Sequence, residues 1–311
     1  MSDARIVTLR ARLRITGDSA AENAVPEAAV QQVFDPALAE AVRRFQTRHG
    51  LEVDGIVGKE TLAALNVPVL ARLDTLNANL ERLQRERRQW GDRFIVVNTA
   101  AAQYRLVDGA VVIFDRPVIV GRPDWPTPRL DGVIRELELH PAWVVPPNIA
   151  RREILPRVRS DPNYLSKHNM RIVDGMIRQA PGPGNPLGKV KFIFPNDESI
   201  YLHDTNNPAL FARAARHLSH GCVRVSNAVE LAGYLLRDDP AWPSVRLDAH
   251  LASGDTERIT LRQPIPVHLV YDTAWVDADG TVQFRADIYR RDLVSQRAAV
   301  LTAGACPDWR G

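Results

Sequence analysis

Apolar residues at the start of the chain recur at helical spacing. Ile6, Leu9 and Leu13 lie about a turn apart, and a polar, loop-like stretch from Gly17 to Gln32 follows. Asp35-Pro36 opens a second helix, with the carboxylate as cap and the proline at the first helical position, where its missing N–H costs nothing. Leu38, Val42 and Phe45 fall at i, i+4 and i+7 on that helix, Gly50 ends it, and Asp54-Gly55 marks a tight turn. A third helix from Lys59 to Asn66 turns Leu62 and Leu65 inward and stops before Pro68. Residues 1–68 therefore read as a compact three-helix bundle. Leu73, Leu76, Leu80 and Leu83 carry an apolar stripe through residues 69–92, which predicts a linker helix lying against a neighbour, with ERLQRERR as its solvated face.

From Arg93 the period shortens. FIVVN, YRLV, AVVIF and PVIVG are β-branched runs divided by turn residues, and similar runs return at Val190–Phe194, Ile200–His203, Val267–Val276 and Thr281–Phe284. Asp279-Gly280 between the last two predicts a hairpin. Residues 141–188 differ: they hold Pro146-Pro147, a helix near Ile149–Arg159 and the segment APGPGNPLG, and read as a lid or binding insertion. The expected fold class is α+β and multidomain: a helical bundle, then a β-rich domain over 93–290 with an inserted lid subdomain, then a tail over 291–311.

The chain's 311 residues suit two domains, each with a core of its own, and a hydrophobic share of 45% against 25% charged argues against disorder. No run approaches the ~18 apolar residues that cross a bilayer, so no membrane span is expected, and MSDARIVTLR lacks the apolar core of a signal peptide. A net charge of +3 is too small to argue for a nucleic-acid partner. Two cysteines, Cys222 and Cys306, exclude a disulfide scaffold and a four-cysteine zinc site.

The sharpest chemistry is Ser219-His220-Gly221-Cys222-Val223-Arg224, with His203-Asp204-Thr205 upstream. Gly221 lets backbone approach a substrate closely. His203 and His220 are both candidates to generate a thiolate at Cys222, and Arg224 adds positive charge. A helix predicted over Asn227–Leu236 would place the cysteine near a helix start, where free N–H groups favour an anion. His217, His220, Cys222 and His203 also offer four zinc-type ligands, but the spacing is unlike the common structural sites and leaves Gly221 and Arg224 unexplained. Cys306 has no partner signal and reads as a spectator.

Two stretches resemble known families. Phe45-Gln46 … Gly50-Leu51 … Val53-Asp54-Gly55-Ile56-Val57-Gly58 … Thr61-Leu62 is similar to the three-helix peptidoglycan-binding module of bacterial wall enzymes. His203 … Ser219-His220-Gly221-Cys222-Val223-Arg224, with 19 residues from His203 to Cys222, resembles the signature of the L,D-transpeptidases. Trp143-Val144-Val145-Pro146-Pro147, Ile177-Arg178-Gln179-Ala180-Pro181-Gly182-Pro183 with Asn185 and Leu187-Gly188, and Pro266-Val267 … Tyr271 … Thr273-Ala274-Trp275 resemble segments of the larger Gram-negative-type members.

The resemblance implies a cysteine acyltransferase of wall biogenesis and cell shape. Cys222 would attack the carbonyl between the third residue and the terminal D-alanine of a tetrapeptide stem, and a neighbouring stem's diaminopimelate amine would take the acyl group. His203 would be the base, oriented by the backbone carbonyl of Asp204, while N–H groups at Gly221 and Cys222 would hold the oxyanion. Arg224, Ser219, Tyr201, Trp143, Arg178 and Asn185 are the candidate substrate-binding residues; His220 is the less favoured base. Carbapenem-type β-lactams are implied inhibitors, and no cofactor or metal is called for. Water as acceptor, giving an L,D-carboxypeptidase or cysteine peptidase, and an inert wall-binding protein remain the alternatives. The implied location is the periplasm, with an export signal preceding the module.

Overall fold

The computed structural model describes residues 3–19, 31–86 and 89–292. Cys306 lies outside the described residues, with the tail from 293. By internal contacts the chain divides into two units, Met1–Gln89 with Tyr271–Gly311, and Trp90–Val270.

The first unit begins with α1 (Arg5–Ile15), α2 (Pro36–Arg48) and α3 (Lys59–Leu65) around Leu13, Leu38, Val42, Phe45 and Leu65. Asp35 caps α2 as expected, accepting the Leu38 N–H at 2.8 Å. Leu62, expected inward, is 51% exposed. The polar part of the recognised motif has a structural role. Gln46 Nε2 donates to Asp54 Oδ1 (2.7 Å), the Ile56 carbonyl (3.0 Å) and Thr61 Oγ1 (3.2 Å), while its Oε1 accepts the Gly55 N–H at 2.8 Å. Gly55 stands at φ +76°, a conformation that favours glycine. The glutamine thus fastens the Asp-Gly turn to two helices.

Helix α4 (Val69–Glu86) corrects the sequence reading: Leu73, Leu80 and Leu83 are exposed, and the buried face carries Ala78, Asn79 and Arg82.

The second unit is built on a sheet. Its elements are β1 (Arg93–Asn98), β2 (Gln103–Asp108), β3 (Val111–Gly121), β4 (Leu130–Leu139), β5 (Trp143–Val144), α5 (Pro147–Ile149), a π-turn at Ala150–Ile154, α6 (Leu155–Ser160), α7 (Tyr164–Lys167), β6 (Met170–Val173) and β7 (Met176–Gln179). Then come β8 (Val190–Ile193), β9 (Leu202–His203), β10 (His217–Ser219), β11 (Val223–Val225), α8 (Ala228–Leu236), α9 (Ser244–Ser253) and β12 (Glu257–Val270). Among the described residues nine strands pair in the order β10-β3-β11-β9-β8-β4-β12-β1-β2, and β2 also pairs with β3, closing the sheet on itself. Ile95, Leu137, Phe192, Leu202, Val223 and Val225 pack with Leu231 and Leu235 of α8 in one core.

AVVIF and PVIVG form one strand, β3, rather than two. Strand β4 escaped the reading because its alternation breaks: the ladder to β12 slips between Thr260 and Ile265, and burial on β4 passes from Ile134 to Leu137. The insertion is a small layer of its own, a β5-β7-β6 sheet over Val145, Ile149, Ile154, Met170 and Ile177.

The β-rich unit ends at Val270, short of the expected boundary at 290. The expected hairpin, β13 (Ala274–Val276) and β14 (Val282–Phe284) around Gly280, belongs with the helices of the first unit. Polar contacts explain this and the inverted burial of α4. Asn79 exchanges hydrogen bonds with Thr273 at 2.7 and 2.9 Å, and Arg82 reaches the Tyr271 carbonyl at 2.6 Å and Asp292 at 2.5 Å. A fully paired polar seam, worth more than a leucine stripe left at the surface, selects the face.

Candidate active site

Three short strands carry the candidate residues. Val223, Val225, Leu202 and Phe192 fill the core side of β11, β9 and β8, so the alternate residues emerge on the opposite face. Register aligns them into a row: Arg224 opposite His203, His203 opposite Lys191, and Lys191 opposite Glu138 of β4. Cys222 and Tyr201 each lie one step before the paired residues Val223 and Leu202, outside the strands; the Tyr201 hydroxyl meets the sulfur, and Cys222 also packs against the core cluster.

Cys222 is half-buried, and its Sγ lies 3.9 Å from the Ser199 carbonyl, beside the Tyr201 hydroxyl. That hydroxyl also meets the Trp143 indole, which comes from β5 of the insertion. Burial pushes the thiol above its ordinary pKa, opposed by hydrogen bonding to Tyr201 and by the charges of Lys191 and Arg224. His203 is 4% exposed and held at about 3, first by burial, then by Arg224, with Lys191 a lesser charge; the Asp204 and Pro186 backbones pull the other way. Its Nδ1 is buried without a hydrogen-bond partner. Among the described residues no hydrogen bond joins the ring to the sulfur. Both shifts favour the uncharged forms, thiol and imidazole, before a substrate arrives.

The loop before Cys222 is locked by its own groups. Ser219 Oγ donates to the Cys222 carbonyl at 2.6 Å and accepts the Gly221 N–H at 3.1 Å. Thr127 Oγ1 donates to the Gly221 carbonyl and accepts the Gly121 N–H, both at 2.8 Å. Gly221 stands at φ +112°, so this tight crossing requires glycine. Two expectations change. Ser219 is a buried brace rather than a substrate contact, and the Gly221 N–H is already used. The Cys222 N–H makes no backbone hydrogen bond among the described residues. A third expectation fails as well: β11 separates Cys222 from α8, which starts at Ala228 after a left-handed Asn227, so no helix start faces the sulfur.

Residues 92–245 match the family model described as "L,D-transpeptidase catalytic domain", and residues 2–65 match one described as "Putative peptidoglycan binding domain". The chain carries an L,D-transpeptidase domain behind a peptidoglycan-binding domain. A curated Haemophilus influenzae protein described as "Putative L,D-transpeptidase" is 33% identical over 219 residues, 64% of this chain and 44% of its own length. The chain thus spans less than half of that relative. Among solved structures, an L,D-transpeptidase from Mycobacterium smegmatis aligns at 13% identity over 57% of this chain and 58% of its own, with a TM-score of 0.33. One from Stackebrandtia nassauensis aligns at 13% identity over 87% and 93%, with a TM-score of 0.32.

Within the L,D-transpeptidase domain the remaining candidates separate. His220 turns away from the sulfur: its Nε2 lies 2.6 Å from Glu153 Oε1 of the insertion, and its ring meets Trp125 edge-on. Asp204 accepts the Lys189 N–H on its carboxylate at 2.8 Å, leaving its backbone toward His203. Asn185, expected at the substrate, is 1% exposed; its amide donates to the Pro141 and Ala180 carbonyls and accepts the Leu187 N–H, so it is a loop clamp. Arg178 lies on the insertion's sheet, 3.8 Å from Asp174. His217 approaches the Thr99 carbonyl at 3.0 Å. Among the described residues no three His, Cys, Asp or Glu side chains gather as a metal site, and no helix is long and apolar enough to cross a membrane.

Sequence reasoning missed Lys191, Glu153 and Thr127. Lys191 had a signal, since it is the polar position in VKFIF and shares strand parity with the row. Glu153 and Thr127 had none, because their partners are distant in sequence.

Proposed function

We propose that the chain crosslinks peptidoglycan by L,D-transpeptidation through a thioester on Cys222. The sulfur attacks the carbonyl joining the third stem residue to D-alanine, and His203 takes the thiol proton as the C–S bond forms. His203 then hands that proton to the departing D-alanine amine as the C–N bond breaks. A second stem's diaminopimelate amine attacks the thioester, loses its proton to His203, and the proton returns to sulfur. The Cys222 N–H is the donor for the oxyanion, a contact worth about 3 kcal/mol of barrier in comparable sites. Arg224, half-buried beside the sulfur, takes a substrate carboxylate. Tyr201 and Trp143 tie the insertion to the nucleophile, so closing the insertion over a bound stem excludes water and favours an amine acceptor. The substrate places this work outside the cytoplasmic membrane, in the periplasm of a Gram-negative cell, and carbapenem-type β-lactams acylate the same sulfur.

The observation that carries this reading is the pair of cations, Lys191 and Arg224, that act on both Cys222 and His203, with the imidazole kept neutral and thus able to accept a proton at working pH. Intact-mass analysis after incubation with a disaccharide-tetrapeptide tests it. The wild type gains the mass of the stem less D-alanine and yields a stem dimer; Cys222→Ala gains nothing. A free tripeptide without dimer would assign water as the acceptor, and an unmodified wild type would overturn the reading.

A further inference from the structure

Lys191 is a half-buried lysine whose ammonium, among the described residues, sits in no ion pair. Glu138 faces it across the ladder without closing one, and its Nζ lies 4.3 Å over the centre of the Tyr201 ring. Burial lowers its pKa, the cost of holding a cation there without a counter-ion. Such a site is completed by an anion.

The row fixes which anion. Cys222 lies just before the paired part of β11, His203 is on β9, and Lys191 on β8, with neighbouring strands about 4.8 Å apart. A tetrapeptide donor presents groups in the same order: the scissile carbonyl, the amide nitrogen that must receive a proton, then the terminal carboxylate, whose carbon is about 4 Å from the carbonyl carbon. With the carbonyl at the sulfur and the nitrogen at the imidazole, the carboxylate points toward β8. The lysine's lean over Tyr201, itself against Cys222, closes the remaining distance. Arg224, on the cysteine's own strand, falls on the retained side of the bond.

We infer that Lys191 reads the free carboxylate of the donor's fourth residue and so makes the site specific for stems that end there. This rests on the transpeptidase reading and adds a specificity residue to it. A stem with a fifth residue carries an amide at that point and leaves the ammonium unpaired. Neutralising Lys191 also removes one of the two positive charges that flank His203, so the correct donor makes the imidazole a better base as it binds.

The test compares kcat/KM for release of D-alanine from a disaccharide-tetrapeptide with release of D-alaninamide from its C-terminal carboxamide, using the full chain. Wild type favours the acid by about 30-fold or more, and Lys191→Met slows the acid donor by about that factor and brings the two donors within about threefold. Lys191→Arg keeps the preference, and Lys191→Gln repeats the methionine result if that substitution disturbs folding. Equal losses on both donors in Lys191→Met would assign the lysine to packing or to tuning of the thiol and would overturn the inference. So would a wild type that does not distinguish the donors. A wild type that acts on neither would instead overturn the transpeptidase reading beneath it.

Discussion

Gln46 in the helical unit and His203 in the catalytic unit are both buried polar side chains, 1% and 4% exposed. Gln46 spends its amide on four hydrogen bonds, and the Asp-Gly turn it fastens needs nothing from outside. His203 makes only loose contacts, to the Asp204 and Pro186 backbones, and sits between two cations, while neighbouring Arg224 has a buried Nε without a partner. Satisfied polar networks hold a fold in one arrangement; buried groups left short of partners cost stability and persist where a ligand completes them. The same residue class thus serves architecture in one unit and, on the proposed function, chemistry in the other.

The largest effect should separate the two on activity. His203→Gln lowers the rate of Cys222 acylation by about 10³-fold while changing unfolding free energy by less than about 1 kcal/mol, read by intact mass over time and by urea titration. A collapse of stability instead would make His203 a second Gln46. The reverse substitution comes next. Gln46→Ala costs about 3 kcal/mol through four lost hydrogen bonds and an untethered turn, with the acylation rate per folded molecule within about threefold of wild type.

Acid sharpens the contrast further. His49 and His203 are each held at about 3, and His217 is also lowered, mainly by burial. The unfolded forms of His49 and His203 take up protons near the ordinary value of 6.5, so through these two the unfolded state binds more protons between 6.5 and 3. Stability is therefore full above pH 6.5 and falls as pH drops through that window, each histidine contributing up to about 1.4 kcal/mol per pH unit. His203→Gln should flatten that slope by one proton, measured as thermal midpoint against pH. The smallest effect is expected at the rim. Glu153→Gln, which loosens the hold on His220, should slow acylation about threefold with little change in stability, because the pair is partly exposed.

Much of this was legible in the chain. Helix α2 was marked by Asp35-Pro36 and by the Leu38, Val42, Phe45 stripe, and the three-helix unit followed from it. The candidate segment could be read because its types, thiol, imidazole, glycine and guanidinium, crowd into a short span. Burial choices that depend on distant partners could not be read. The stripe of α4 pointed to leucines, whereas Thr273 and Asp292 select Asn79 and Arg82. Asn185 and Ser219 looked like substrate contacts because nothing local shows that backbone groups consume them. Strand β4 hid behind a register slip, and the charge state of the pair hid in its burial.

The proposed chemistry turns on a thiol and an imidazole that rest uncharged until a substrate arrives. Iodoacetamide alkylation of Cys222 against pH, in a Cys306→Ser background without substrate, tests this most directly. A single rise with its midpoint above 9, the ordinary thiol value from which burial raises this one, is predicted. A plateau of fast alkylation already reached at pH 6 would show a preformed thiolate–imidazolium pair and contradict it.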